Sequence, residues 1–335
     1  MSLELLLAGA MLISLTFYAL LGGADYGGGV WDVFARGQRA NDQRALIAHA
    51  IGPIWEANHV WLILVVVILF AAFPTAFAAI ATALHIPLTL LLIGIVLRGS
   101  AFTFRTYDSQ RDDVQRRWSR IFSIASIITP IFLGVIIGAI ASGGIQVDNG
   151  MVVSGFIHPW LGTFPIAVGC FALSLFAFLA AVYLTLETRD PKLQDDFRLR
   201  ALASGAVVAA LALVVFLLAG TSAPKIRAGI SATLWAIPLH TATAFCAVGA
   251  FGALWHRKYR WARLCAVGQV TLILWGWALA QFPYIVEPDI TIQSAAAPAK
   301  VLFLLLVALS AGAIVLLPSF YYLFSVFKAP NRNLH

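Results

Sequence analysis

Glu56, Asn58 and His59 stand in one stretch, Gly52-Pro53-Ile54-Trp55-Glu56-Ala57-Asn58-His59-Val60-Trp61-Leu62-Ile63, where a long apolar run begins. On a helix, Glu56 and His59 are three residues apart and Trp55 and His59 four, so the three side chains share one patch. A carboxylate and an imidazole at or below a membrane interface are costly unless paired or hydrated, which makes proton exchange the chemistry to expect of them. The bland alternative is that Glu56 snorkels to headgroup water while His59 bonds a neighbouring helix. Glu-x-x-His is also the spacing of di-iron carboxylate bundles, but that centre needs a second such motif and further carboxylates. The chain has no second Glu-x-x-His, so no metal site is expected.

Two other charges belong to the same question. Asp25 lies in Gly22-Gly23-Ala24-Asp25-Tyr26-Gly27-Gly28-Gly29, where the glycines permit close helix approach or an irregular backbone at the membrane surface. It serves either chemistry or the capping of a helix end. Arg98, in Leu97-Arg98-Gly99-Ser100-Ala101-Phe102, either counters Asp25 or Glu56 or snorkels as an anchor. His85 stands two residues before Pro87 and His240 two after Pro238. Each is a conceivable haem ligand, and the favoured reading is a hydrogen bond to the carbonyl that the nearby proline frees.

The elements that must hold these residues follow from composition. Of 335 residues 61% are hydrophobic and 11% charged, and the mean hydropathy is +0.90. Such a chain is a polytopic membrane protein, and apolar runs of roughly 20 residues make its spans helical rather than barrel strands. Nine spans are expected, at 4–22, 54–73, 76–97, 119–141, 159–186, 201–219, 230–255, 262–282 and 299–327. They form an all-α fold in a single integral membrane domain over 1–335, and residues 40 to 52 suit a short interfacial helix before the second span. Pro53 fits as the break or an early residue of the next helix.

With the N-terminus outside, nineteen of the 22 Lys and Arg residues fall in loops or a tail on the inner face. The positive-inside rule therefore sets the N-terminus periplasmic and the C-terminus cytoplasmic. Scattered in this way, the formal charge of +7 reports topology and not nucleic-acid binding. Cys170, Cys246 and Cys265 lie in or beside apolar runs without Cys-x-x-Cys spacing, as buried thiols do. The apolar start lacks a basic leader and reads as the first span, and no internal repeat of the inverted-transporter kind is visible.

Taken together, the stretch around Asp25 with Trp31-Asp32, the stretch from Gly52 to Ile63, Leu97-Arg98-Gly99-Ser100-Ala101-Phe102, and Phe282-Pro283-Tyr284 leading to Ala295-Ala296-Ala297-Pro298 resemble subunit II of the cytochrome bd-type quinol oxidases, including the cyanide-insensitive branch. The resemblance runs essentially end to end and agrees with nine spans. It implies a multi-pass subunit of the bacterial inner membrane within an oxidase that takes electrons from quinol and reduces dioxygen to water. It implies a haem-bearing subunit I as heterodimer partner, holding two b-type haems and one d-type haem, with no catalytic site in this chain. Asp25 and Glu56 would then handle protons on their way from the cytoplasm, with Trp55, Asn58 and His59 around them and Arg98 as countercharge. At Thr103 many relatives carry a carboxylate, so an ordered water or Glu56 alone would serve there. The resemblance also admits a small single-span accessory subunit and a structural quinone, although the short outer loops count against the quinone. Lipids surround the chain in either case, and the competing class is a proton-coupled secondary transporter working through Glu56 and His59.

Overall fold

The computed structural model describes residues 2–52, 54–107 and 112–327 of the chain, with the side chains at 105–107, 112, 113, 115, 116 and 327 left aside. Pro53, residues 108–111, and the tail with Lys328 and Arg332 lie outside the described residues. Among the described residues nine helices are long and apolar enough to cross a membrane.

The first span is longer than its hydropathy suggested. α1 (Leu3–Phe17) passes through a π-helical turn (Tyr18–Gly22) into α2 (Gly23–Val33), one continuous rod where hydropathy places the end of the span at Gly22. The glycines and Asp25 that look like a surface loop are almost all buried in protein, so they remain helical. After α3 (Ala40–Ile51) come α4 (Trp55–Ala72), α5 (Pro74–Ala83), α6 (His85–Tyr107) and α7 (Asp112–Ala141). A hairpin, β1 (Val147–Asp148) with β2 (Met151–Val152), leads to α8 (Thr163–Glu187). The second part runs α9 (Pro191–Ser222), α10 (Pro224–Ala232), α11 (Ala236–Trp255), α12 (Tyr259–Gln281), the hairpin β3 (Tyr284–Val286) with β4 (Ile290–Thr291), and α13 (Ala299–Phe327).

This order repeats. A spanning helix breaks at Phe73 (φ −132°, ψ 58°) before Pro74, and another breaks at Ala223 (φ −147°, ψ 60°) before Pro224. A residue preceding proline is pushed out of the helical region, while proline suits the first position of a new helix, so each sequence stops one helix and starts a short one. Four spans separate the starts of α4 and α9, so the two halves cross the membrane in the same sense, unlike an inverted repeat. Neither short helix was apparent from hydropathy, which placed most of α5 in the expected third span, 76–97, and left most of α10 in the gap before the seventh, 230–255.

His85 and His240 belong to these breaks. His85 Nδ1 lies 3.0 Å from the Thr82 carbonyl, and His240 Nε2 lies 2.9 Å from that of Ile230. These are not the carbonyls that Pro87 and Pro238 free. They are last-turn carbonyls of α5 and α10, which have no partner within their own helix.

α8 is the central stave, with every residue from Ser174 to Val182 buried, as expected of a helix apolar all round. It packs on α2, α7 and α9. At the other extreme, only 6% of the α13 span window is buried. That helix is held to the core by a ladder in which Trp61 stacks on Phe17 at 4.5 Å and on Phe320 at 5.2 Å.

The hairpins close one end of the bundle. Asp289 Oδ2 accepts from Val147 N at 2.9 Å, and the Lys225 ammonium sits 4.2 Å from the centre of the Tyr284 ring. Glu287, only 4% exposed, has its carboxyl pushed up by burial while Lys225 pulls it the other way. A folded-state value above the unfolded one means that the native state binds the extra proton. Its stabilising share is complete below the unfolded value and is lost as pH rises through the folded one. Glu287→Gln is therefore expected to raise the unfolding temperature at neutral pH and to make no difference at about pH 3. Thermal unfolding followed against pH checks this; an equal gain at both pH values would refute it.

Candidate functional site

The site forms where α2, α4, α6 and α7 meet near the arginine-bearing end of the bundle. Glycines set the approach of α2: a Cβ on Gly27 would fall on the Phe176 carbonyl of α8, and one on Gly29 would fall on the Ser126 hydroxyl of α7. With hydrogen at these positions, Asp25 is carried into the interior at 6% exposure.

Asn58, fully buried, donates from Nδ2 to Asp25 Oδ2 at 2.7 Å. Arg98, 2% exposed, donates from Nη2 to the Asp25 backbone carbonyl at 3.0 Å and from Nε to Ser126 Oγ at 3.2 Å. Its guanidinium also lies 4.7 Å from the centre of the Tyr26 ring and 5.2 Å from that of Phe122. An anion and a cation are thus enclosed together, and burial of either alone would cost several kcal/mol. Snorkelling, the alternative for Arg98, is overturned: the guanidinium turns inward to Asp25 and Ser126 and not to the headgroups.

Around the charges lies a polar and aromatic shell. The Tyr18 and Tyr26 hydroxyls meet at 3.2 Å. The His59 ring stands 5.9 Å from that of Tyr18, 6.2 Å from Tyr26 and 6.0 Å from Trp55. His59 Nδ1 and Asn58 Oδ1 are buried without a hydrogen-bond partner in the protein. Two unpartnered polar atoms on consecutive residues in an interior are costly unless something fills them, and water is the common solution.

Of the residues singled out from sequence, Asp25, Asn58 and Arg98 form the bonded centre, and His59 and Trp55 sit in its wall. Glu56 does not join them. It is exposed, on the outside of α4. It heads a stripe with Ile63, Val67 and Phe70, spaced at helical repeats and 58%, 43% and 61% exposed. Thr103 turns back on its own helix, donating to the Gly99 carbonyl at 3.1 Å. Tyr18, Tyr26 and Ser126 were not anticipated. Hydroxyls in otherwise apolar helices were the available signal, and hydroxyls are too common in membrane helices to select those three.

Among the described residues no three His, Cys, Asp or Glu side chains group as metal ligands. His85 and His240 are each engaged with a helix-end carbonyl of a different half of the chain. They do not fit a haem as an axial pair.

Residues 3–327 match the family described as cytochrome bd terminal oxidase subunit II. Cytochrome bd ubiquinol oxidase subunit 2 of Bacillus subtilis (strain 168) is 30% identical over 171 residues, 51% of this chain and 49% of that one. Cytochrome bd-I ubiquinol oxidase subunit 2 of Escherichia coli (strain K12) is 29% identical over 220 residues, 64% of this chain and 55% of that one. The chain thus spans about half the length of these curated relatives. A chain of the bd oxidase structure from Geobacillus thermodenitrificans superposes with a TM-score of 0.76 at 20% identity, covering 98% of this chain and 99% of that one, and so shares its fold.

Proposed function

We propose a function from one premise: this chain belongs to the cytochrome bd terminal oxidase subunit II family, and is a multi-pass protein of the bacterial inner membrane. In our reading it is the non-haem subunit of a quinol oxidase complex. It supports a haem-bearing subunit I and conducts protons from the cytoplasm toward the site where that partner reduces dioxygen to water. The haems of such a complex supply the electron transfer and oxygen chemistry, and the residues of this chain hold and move protons.

The observation that carries the reading is the buried Asp25 carboxylate, fixed by Asn58 and enclosed with Arg98. A carboxylate held in an interior, beside polar atoms that water can bridge, is a proton station. Glu56 on the exposed stripe of α4 is the group that faces the surroundings, and we assign it the entrance, against the surface of subunit I. His59 lies between, within the aromatic wall. Arg98 keeps the enclosure charged whenever Asp25 is protonated, so the loaded state is the less balanced one and the proton moves on. With the arginine-rich end toward the cytoplasm, protons enter from one side only and turnover is electrogenic without a pump. A small accessory subunit is compatible with the apolar surface of α13, and quinol and dioxygen are substrates of the complex.

The test is copurification followed by turnover. All haem absorbance is expected to follow a second membrane subunit, and isolation of this chain alone with stoichiometric haem would overturn the assignment. In the purified complex, Glu56→Gln is expected to lower oxygen consumption by about threefold, a modest loss because an exposed entrance can be bypassed by water. A loss as large as that of Asp25→Asn would make Glu56 the obligatory donor instead.

A further inference from the structure

The arginine-rich end holds a second constellation that the proton reading does not use. Gly37, with a left-handed φ of 79°, turns the chain from α2 into α3, and Arg39, the residue before α3, leaves that helix start without a side-chain cap. The first N–H groups of α3 therefore lack intrahelical partners. Beside this turn lies a recess of about 440 Å³ lined by Arg36, Gly37, Arg39, Gln43, Leu199 and Arg200, with Asp196 as its one acidic side chain.

Asp196 does not neutralise this recess. Its Oδ1 accepts from Arg39 Nη2 at 2.6 Å, and its Oδ2 accepts from Arg39 Nε at 2.9 Å and Gln43 Nε2 at 2.7 Å. Arg200 donates through Nη2 to Gln43 Oε1 at 2.7 Å and to the Phe34 carbonyl at 3.1 Å, while its Nη1 is buried without a partner. Its guanidinium is braced 5.4 Å from the centre of the Trp31 ring and 5.0 Å from that of Phe197. Arg36 stands exposed at the rim. Three guanidinium groups against one engaged carboxylate in the lining leave a net positive seat, with Arg200 Nη1 as an unused donor, and guanidinium groups are the chemistry that holds a phosphate. Beside it lie apolar surfaces open to the surroundings: Leu199 is 58% and Phe34 50% exposed.

We infer that this recess binds the phosphate of an anionic phospholipid, with Arg36, Arg39 and Arg200 on the headgroup and Leu199 and Phe34 along the first part of an acyl chain. Free phosphate would account for the guanidinium groups but not for the apolar residues beside them. Cationic side chains at the inner surface of a membrane attract anionic lipid in this way.

Native mass spectrometry tests the assignment on the delipidated full chain with its copurifying subunit, titrated with dioleoylphosphatidylglycerol or dioleoylphosphatidylcholine. Phosphatidylglycerol is expected to bind saturably and more tightly. Arg36→Gln should weaken it by about fivefold, with Arg36→Lys restoring most of the loss. Leu199→Ser should weaken the lipid while leaving competition by inorganic phosphate unchanged. Both variants are at exposed positions, so loss of the fold does not confuse the readout. Equal binding of the two lipids by wild type and Arg36→Gln would overturn the site. Full displacement by inorganic phosphate, with no effect of Leu199→Ser, would overturn the lipid and leave a phosphate site.

Discussion

Replacing Asp25 by Asn is expected to reduce oxygen consumption by the complex about a hundredfold or more, the lower end of the range that a positioned proton-transfer group contributes. The substitution is nearly isosteric, and the new amide oxygen can still accept from Asn58 Nδ2 where Oδ2 now does at 2.7 Å. What is lost is exchange of a proton at that atom. Arg98, 2% exposed, then remains as a buried cation whose balancing carboxylate is gone, which costs up to about 3–5 kcal/mol of stability. The two effects separate in the double variant Asp25→Asn with Arg98→Gln. It should regain stability by removing both charges, and it should not regain turnover. Oxygen consumption with the haem spectrum and yield as controls decides the matter. Wild-type turnover in Asp25→Asn would leave the chain a scaffold and end the proton reading.

The second large effect is steric. Gly27→Val is expected to destabilise the protein by about 3 kcal/mol or more and to deplete it from the membrane. Its side chain would be driven into the Phe176 carbonyl of α8, and a helix backbone cannot yield as a side chain does. The only relief is separation of α2 from α8, which would take Asp25 away from Asn58 and from Arg98. Gly9→Ala, in α1 with nothing within 4 Å of its Cβ position, supplies the contrast. It should be neutral or stabilise by roughly 0.5–1 kcal/mol through helix propensity alone. Thermal unfolding of the two variants in the purified complex compares them directly, and equal stability of both would show that the α2–α8 contact is not tight.

These cases show what was legible in the sequence. Nine apolar segments and the candidate residues Asp25, Asn58 and Arg98 could be read from residue types alone, because hydropathy reports burial in lipid and charge in an apolar run stands out. Hydropathy could not report whether a polar segment is buried in protein. That is why the Gly22–Gly29 stretch read as the end of a span and is instead the most enclosed part of one. It is also why Glu56 drew the first attention. A carboxylate at a helix start is equally visible whether it faces inward or outward, and the rotation of α4 that exposes Glu56 and buries Asn58 is decided by neighbours far away in sequence. The short helices that begin at Pro74 and Pro224 were hidden for different reasons: the first is apolar and runs on into the next span in hydropathy, the second carries Lys225 and Arg227 and reads as a connecting loop, and the backbone angles before each proline mark both off.

The π-helical turn at Tyr18–Gly22 bears on how this site can have arisen and how it can change. Such a turn is what a helix makes of one inserted residue when both flanks are held in place. On a regular helix, eight positions separate Tyr18 from Tyr26 by about 80° around the axis; discounting the extra residue brings them within about 20° of each other. Their hydroxyls do meet, at 3.2 Å. Register upstream of the turn serves the packing of α1, and register downstream serves the aim of Asp25. Deleting one residue between 18 and 22 would let the turn close into regular α-helix with both flanks in register, whereas inserting a further one would set these two demands against each other, rotating Asp25 by about 100° if α1 kept its place. The number of residues in this stretch is therefore as much a determinant of the site as their identities.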